Sequence, residues 1–296
     1  VKLTFKQFLS EATVKDSVNR KKTILADIKT EEEAKAVIKL LRKNCKVSFD
    51  EFLKSGFAIY RGMSEGPKVI QVQYNKGVRR TQNTHDYYRM IIDTHPMYQG
   101  TDLPKRSRAL VASTNYEYAR GYGDDIFVVF PFDTTIVGLV PEHDIFDIEF
   151  KVFDRDDGNV DNLSMMINDI FTLYEKHGGR KIKQGVITPE DFIKNIDSIG
   201  MERVVNILQN GWAPFIRDED MGAEEFAKKY GIDDGKSFLD YLYNKVLSPN
   251  NLKFKALLPE NFYKMKPRDK EVWIGNKCIA VSTSVLADIK RMVDEK

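Results

Sequence analysis

Strand-like runs of β-branched and aromatic residues fall into two groups along this chain, and the residues between them, 152–250, carry helical periodicity instead. A strongly helical stretch precedes the first group. A parallel α/β sheet needs strands and helices in regular alternation, and this order argues against one. It predicts an α+β chain whose sheet is interrupted by a large helical insertion. The implied division is 12–151 and 251–296 for the two parts of the sheet domain and 152–250 for the insertion. Residues 1–11 form a short basic amphipathic segment that reads as the first turns of a helix, with Leu3, Phe5, Phe8 and Leu9 seeking a core.

The first helix is predicted over 30–43. Thr30 is a good N-cap, Glu33 completes a capping box, and Ala34, Val37, Ile38 and Leu41 share one face. Ser48 and Glu51 repeat the capping-box spacing for a short helix through Leu53, ended by Gly56. Strands are predicted over 57–62, 69–74, 109–114, 126–132 and 135–140, with a helical turn over 115–122. The polar stretch 75–108 holds one helix, around 86–92. In the insertion, Leu163, Met166, Ile167, Ile170, Phe171 and Tyr174 recur at helical intervals, and Thr188-Pro189 opens a further helix. Two more helices are expected near 222–230 and 236–247. After a short strand at 253–257, the strands 271–274 and 278–281 flank Gly275-Asn276 and read as a hairpin. A last helix starts near 284.

The 46 basic and 44 acidic residues leave a net charge of +2, which demands neither nucleic acid nor an anionic membrane as partner. The clusters Arg79-Arg80 and Lys105-Arg106-Ser107-Arg108 read as solvated loops. Cys45 and Cys278 have no CxxC spacing, so a thiolate zinc site is excluded and a disulfide scaffold is not expected. His85, His95, His143 and His177 are scattered without ligand spacing, so no metal is expected there. No apolar run is long enough for a membrane-spanning helix, and residues 1–9 lack the apolar core of a signal peptide. A reducing compartment is expected.

Three pieces place polar groups at the ends of predicted strands, where sites are commonly built. They are Tyr60-Arg61-Gly62, Ser113-Thr114 and Asp269-Lys270-Glu271. Each alone is ordinary. A strand-end arginine commonly makes a surface ion pair, a Ser-Thr pair commonly caps or pairs in a ladder, and an acidic residue opening a strand is commonly solvated. The combination and its order carry the signal.

That combination resembles the three motifs of the R-S-E class of ADP-ribosyltransferases, whose toxin and phage members have this order. The resemblance covers roughly residues 50–150 and 250–285, and the insertion accounts for the long spacing from Ser113 to Glu271. It implies a split β-sandwich with N-terminal helices, and NAD⁺ as substrate with no metal. Cleaving the bond between nicotinamide and ribose develops positive charge on the ribose, which a carboxylate stabilises; Glu271 is implied in that role. A guanidinium fork suits a pyrophosphate, which implies Arg61. Gly62 would let backbone approach the nicotinamide amide. Ser113 would orient Glu271, Thr114 would support the nicotinamide side, and Tyr116 and Tyr122 are candidates to clamp the ring, with plain packing as the alternative for either. Asp269 stands where the family often has Glu or Gln and would help select the acceptor. Its carboxylate favours arginine on a host protein, with nucleic acid or another protein side chain left open as acceptor.

Residues 1–11 are similar to the capsid-targeting peptides of T4-like phage internal head proteins. Leu9-Ser10-Glu11-Ala12 fits their Leu-x-Glu cleavage pattern, with cleavage implied after Glu11. The two resemblances together imply an enzyme held in the virion interior and then delivered to the host cytoplasm. Alternatives are an NAD glycohydrolase with water as acceptor and a non-enzymatic internal head or binding protein. A metal-dependent hydrolase using Asp154, Asp156 and Asp157 ranks lower, because the cluster precedes Gly158 as a turn would and no glutamate stands at the calcium-loop position.

Overall fold

A computed structural model describes residues 13–15, 20–26, 28–74, 91–150, 161–162, 243–244 and 247–295. The peptide at 1–11, the Asp154–157 cluster and most of the expected insertion helices lie outside these residues. The chain is α+β and divides into two compact units. One comprises residues 1–80, 98–144 and 254–296; the other comprises 81–97 and 145–253. The stretch 81–97, read from sequence as part of a polar connection, thus joins the second unit.

Twelve strands are described: β1 (Thr13–Lys15), β2 (Arg20–Ala26), β3 (Ile59–Met63), β4 (Val69–Tyr74), β5 (Leu110–Ser113), β6 (Asp125–Pro131), β7 (Val137–Leu139), β8 (Glu149–Phe150), β9 (Asp161–Asn162), β10 (Lys255–Leu257), β11 (Glu271–Ile274) and β12 (Lys277–Ser282). Ten join in the order β1-β2-β4-β12-β6-β3-β5-β11-β7-β10, and β8 pairs with β9 separately. Every described pairing is antiparallel, in keeping with the argument against a parallel α/β sheet. The helices of the first unit are α1 (Glu31–Asn44), α2 (Lys46–Ser55), α3 (Tyr116–Arg120), α5 (Pro259–Met265) and α6 (Thr283–Asp294); α4 (Pro249–Leu252) belongs to the second.

The ten-stranded ladder has a seam. β3 pairs with β6 from Ile59↔Val129 to Met63↔Asp125, and β5 pairs with β11 along its whole length. Between β3 and β5 the register holds only Tyr60↔Ser113. One buried core draws on strands from both sides of that seam: Ile70, Val72, Phe127, Val129 and Ala280 from one, Leu110, Ala112, Val137, Val272 and Ile274 from the other. Residues so far apart in strand order can share a core only if the sheet folds over on itself at the seam. A second core lies on the other side of β6 and β12. There Val128, Phe130, Ile279 and Val281 meet Val37, Ile38 and Leu41 of α1, Phe49 of α2, and Leu286 and Ile289 of α6. The alternation is strict: Phe127, Val129, Cys278 and Ala280 enter the first core, and their strand neighbours enter the second.

α1 forms as its pattern predicts. The Thr30 hydroxyl accepts from the Glu33 N–H at 3.2 Å, and the Glu33 carboxylate accepts from the Thr30 N–H at 3.0 Å. Gly56 ends α2 with φ of 72°, in the left-handed region that glycine enters at no steric cost.

Three expectations need correction. Strands β1 and β2 precede the first helix. Ser48 does not cap α2; it lies inside the helix, and its hydroxyl donates to the Cys45 and Pro131 carbonyls. The segments around Gly275-Asn276 are not a hairpin. β11 pairs with β5 and β7, whereas β12 pairs with β4 and β6. Both strands are buried and each needs two neighbours, so the turn carries the chain from one side of the seam to the other. Asn276 takes φ of 53° there, the Gly275 N–H donates to Ile136 O at 3.1 Å, and Pro104 leaves no ordinary room for a Cβ at Gly275.

In the second unit, the clearest fixed point is His95, which is buried. Its Nε2 lies 2.6 Å from Leu247 O, and its Nδ1 accepts from the Met97 N–H at 2.9 Å. A carbonyl can only accept, so Nε2 carries the proton and the ring is neutral. The Tyr243 ring packs edge-on against it. Among the described residues no helix is long and apolar enough to cross a membrane.

Candidate functional site

The strands carrying the three motifs are neighbours in the sheet, in the order β3-β5-β11. Ser113 stands opposite Tyr60 on one side and Glu271 on the other. The seam therefore brings Arg61, Ser113 and Glu271 into one neighbourhood from positions far apart in sequence.

Arg61 is buried. Its Nη1 donates to Val111 O at 2.8 Å, on β5 beyond the last β3–β5 pair, so the guanidinium spans the seam where the backbone ladder stops. Its Cζ lies 3.9 Å from the Tyr122 ring centroid, a cation–π contact. The Tyr122 turn is held there by two glycines. A Cβ on Gly62 would overlap Ala119 O and lie 2.7 Å from Gly123 N; a Cβ on Gly123 would lie 2.5 Å from the Met63 carbonyl carbon. Gly62 thus permits close backbone approach, and the backbone that approaches is its own chain. Burial pushes the Tyr122 hydroxyl up to about 12, with the negative charges of Glu271 and Asp144 adding to the rise and Arg61 and Arg106 opposing it. Tyr122 is therefore within electrostatic reach of both the arginine and the glutamate. Tyr116 is exposed and packs edge-on against Tyr60, ring centroids 5.5 Å apart.

Glu271 opens β11 and its side chain is wholly buried. Arg106 holds it with a two-pronged contact, Nε to Oε1 at 3.0 Å and Nη2 to Oε2 at 3.4 Å. The Trp273 indole N–H donates to Oε1. Strand alternation places that indole on the carboxylate's face, two residues along. Burial disfavours the charge on Arg106, and the adjacent Glu271 carboxylate outweighs it, leaving the guanidinium above its ordinary range. Arg106 is a correction to the sequence reading. It belongs to no solvated loop but to the partly buried ion pair at the centre of the site.

Ser113 also departs from expectation. Among the described residues, the Glu271 oxygens are met by Arg106 and Trp273, while the Ser113 hydroxyl accepts from the Asn115 N–H at 3.0 Å. Thr114 clips β5 to the segment before β11. Its N–H donates to Lys270 O at 2.9 Å, and its hydroxyl accepts from the Lys270 N–H at 2.9 Å. Asp269 sits at φ of 53°, which the short polar Asp side chain tolerates better than most. Its carboxylate accepts from Asn115 Nδ2 at 2.5 Å. Asn115 in turn caps α3 by accepting from the Glu117 and Tyr118 N–H groups.

Sequence reasoning missed Arg106, Trp273 and Asn115. The i, i+2 spacing of Glu271 and Trp273 was a usable signal; nothing local marked Arg106. Among the described residues no group of His, Cys, Asp and Glu side chains could hold a metal ion. No protein-family model, no curated protein and no solved structure matches this chain.

Proposed function

We propose that this chain is an NAD-dependent mono-ADP-ribosyltransferase built on a split β-sandwich. The observation that carries the reading is the register Tyr60↔Ser113↔Glu271 across three adjacent strands at the seam. The three motifs lie side by side in the sheet, as one shared site would require. The Tyr122 ring over Arg61, within reach of the Glu271 charge, adds to that support.

In this reading the bond between ribose C1′ and the nicotinamide nitrogen breaks, and nicotinamide leaves with the bonding electrons as a neutral base. Positive charge spreads over C1′ and the ring oxygen, and the Glu271 carboxylate stabilises it. An acceptor nitrogen attacks C1′ and loses its proton to Asp269 or solvent. Arginine on a protein suits this arrangement, because Asp269 lies at the exposed edge of the site, two residues before Glu271. The diphosphate would be met by guanidinium groups. Delivery from a virion into a host cell belongs to the same proposal and rests on residues 1–12.

The test is transfer of label from adenylate-labelled NAD⁺ to proteins of a bacterial lysate, wild type beside Glu271→Gln. Label on protein in the wild type, reduced roughly a hundredfold or more in the variant, is the expected result. No transfer by the wild type, or equal transfer by both, refutes it. Free ADP-ribose without labelled protein assigns the site to NAD hydrolysis.

A further inference from the structure

The charge that Glu271 must supply to a developing ribose cation is already neutralised in this structure. Its carboxylate is wholly buried and engaged by the Arg106 fork at 3.0 and 3.4 Å. A guanidinium at that distance opposes any second cation beside the carboxylate, because the low-dielectric surroundings strengthen repulsion as much as attraction. Arg61 is meanwhile committed to the Val111 carbonyl and the Tyr122 ring. The same planar fork that grips a carboxylate also grips a phosphate, with two donors in parallel.

Resting on the transferase reading, we propose that Arg106 is a diphosphate-binding residue of the site and that NAD⁺ exchanges its fork from Glu271 to the diphosphate. The ligand-free contact is then a latch. It holds the Glu271 carboxylate in place while the site is empty, and the dinucleotide that needs the carboxylate is what unpairs it. Trp273 stays behind as the donor that fixes the freed carboxylate. The Arg106 side chain, 15% exposed against 0% for Glu271, is the partner with a route outward.

The consequence is a competition that binding alone can read. Glu271→Gln replaces the anion competing for Arg106 by a neutral amide, so the variant should bind a non-hydrolysable carbocyclic NAD⁺ analogue more tightly than wild type, by roughly tenfold. In Arg106→Gln/Glu271→Gln that gain should vanish, and adenosine, which lacks the diphosphate, should bind all three proteins alike. The double variant contains no unpaired buried charge, so the comparison does not depend on folding of Arg106→Gln alone. Isothermal titration calorimetry measures each affinity. If wild type binds the analogue but Glu271→Gln binds it no tighter, or if the gain persists in the double variant or with adenosine, the latch is wrong and the transferase reading stands. If wild type does not bind the analogue at all, the transferase reading falls and the latch with it.

Discussion

Arg106→Met should be among the most destabilising single changes in the first unit, and Glu271→Gln should largely reverse it. Burial sets the magnitude. The Glu271 side chain is 0% exposed, and Arg106 supplies two of the three described donors that face its oxygens. Methionine keeps most of the apolar stem of Arg106 but removes both donors and the charge. The carboxylate then keeps only the Trp273 N–H. Breaking a buried pair from one side costs about 3–5 kcal/mol, because the remaining charge stays out of water. For a folded unit of this size that corresponds to a fall in melting temperature of roughly 6–20 °C. Glu271→Gln alone should cost less, about 1–2 kcal/mol, since the Arg106 side chain, unlike that of Glu271, is not wholly buried. In the double variant the amide carbonyl introduced at position 271 still accepts from the indole and no charge is stranded. Its stability should therefore return to within about 1–2 kcal/mol of wild type, a coupling of roughly 2 kcal/mol or more. The assay is urea unfolding followed by tryptophan fluorescence. The chain has two tryptophans, in different units, so a Trp212→Phe background isolates Trp273 and keeps the two-state treatment tied to one unit. A loss below about 1 kcal/mol for Arg106→Met, or additive effects in the double variant, would refute the reasoning.

Two further outcomes follow from other parts of the molecule. Gly62→Ala should destabilise the first unit by about 1–3 kcal/mol and loosen the Tyr122 turn, because the new methyl overlaps backbone of residues 119 and 123 that cannot rotate away; unchanged stability in thermal melts would show that the turn yields freely. His95 is held below its ordinary value of 6.5, chiefly by burial, so its neutral form is favoured in the folded state. The unfolded chain takes up a proton first as pH falls below that value, so His95 contributes stability that is present above 6.5 and is lost as pH drops toward the folded value. His95→Gln should flatten that limb of a pH-dependent melting series. An unaltered slope would place the loss elsewhere.

The parts of the fold that were readable from sequence are those set by local chemistry. Thr30 with Glu33 names its own helix start, and Gly56 its helix end. The run of β-branched and aromatic residues in β6 marks it as a strand before any partner is known. Partner choice is another matter. Gly275-Asn276 is a turn in both the sequence reading and the structure, but a turn constrains chain direction, not pairing. β11 and β12 are buried along almost their whole length, which means neighbours on both edges, and those neighbours came from residues 69–74, 110–113, 125–131 and 137–139. Ser48 and Glu51 failed as a capping box for a related reason. The spacing is correct, but the helix starts at Lys46, two residues before Ser48, and the Asp133 carboxylate accepts from the Lys46 and Val47 N–H groups there, so the start is capped from outside the segment.

The candidate site divides along the same line. Ser113 and Glu271 were visible because one ends a strand and the other opens one; Arg61 was read as a strand end, but β3 runs on through Met63 and places it mid-strand. Arg106 was invisible because its role depends on Glu271, 165 residues away, and on a short helical turn that has no periodicity to read. A run of Lys105-Arg106-Ser107-Arg108 has the composition of a solvated loop, and for Arg108 that is what it is, since this residue is exposed. What separates the two arginines is the direction each takes from one turn. A buried carboxylate needs a cation or other donors beside it, and the strand position of Glu271 buries it. The pair therefore determines itself: once β11 places a carboxylate under the 106–108 turn, one of the turn's basic residues must follow it inward. Replacing Glu271 by a neutral residue should accordingly release Arg106 toward solvent, or toward a phosphate when one is offered.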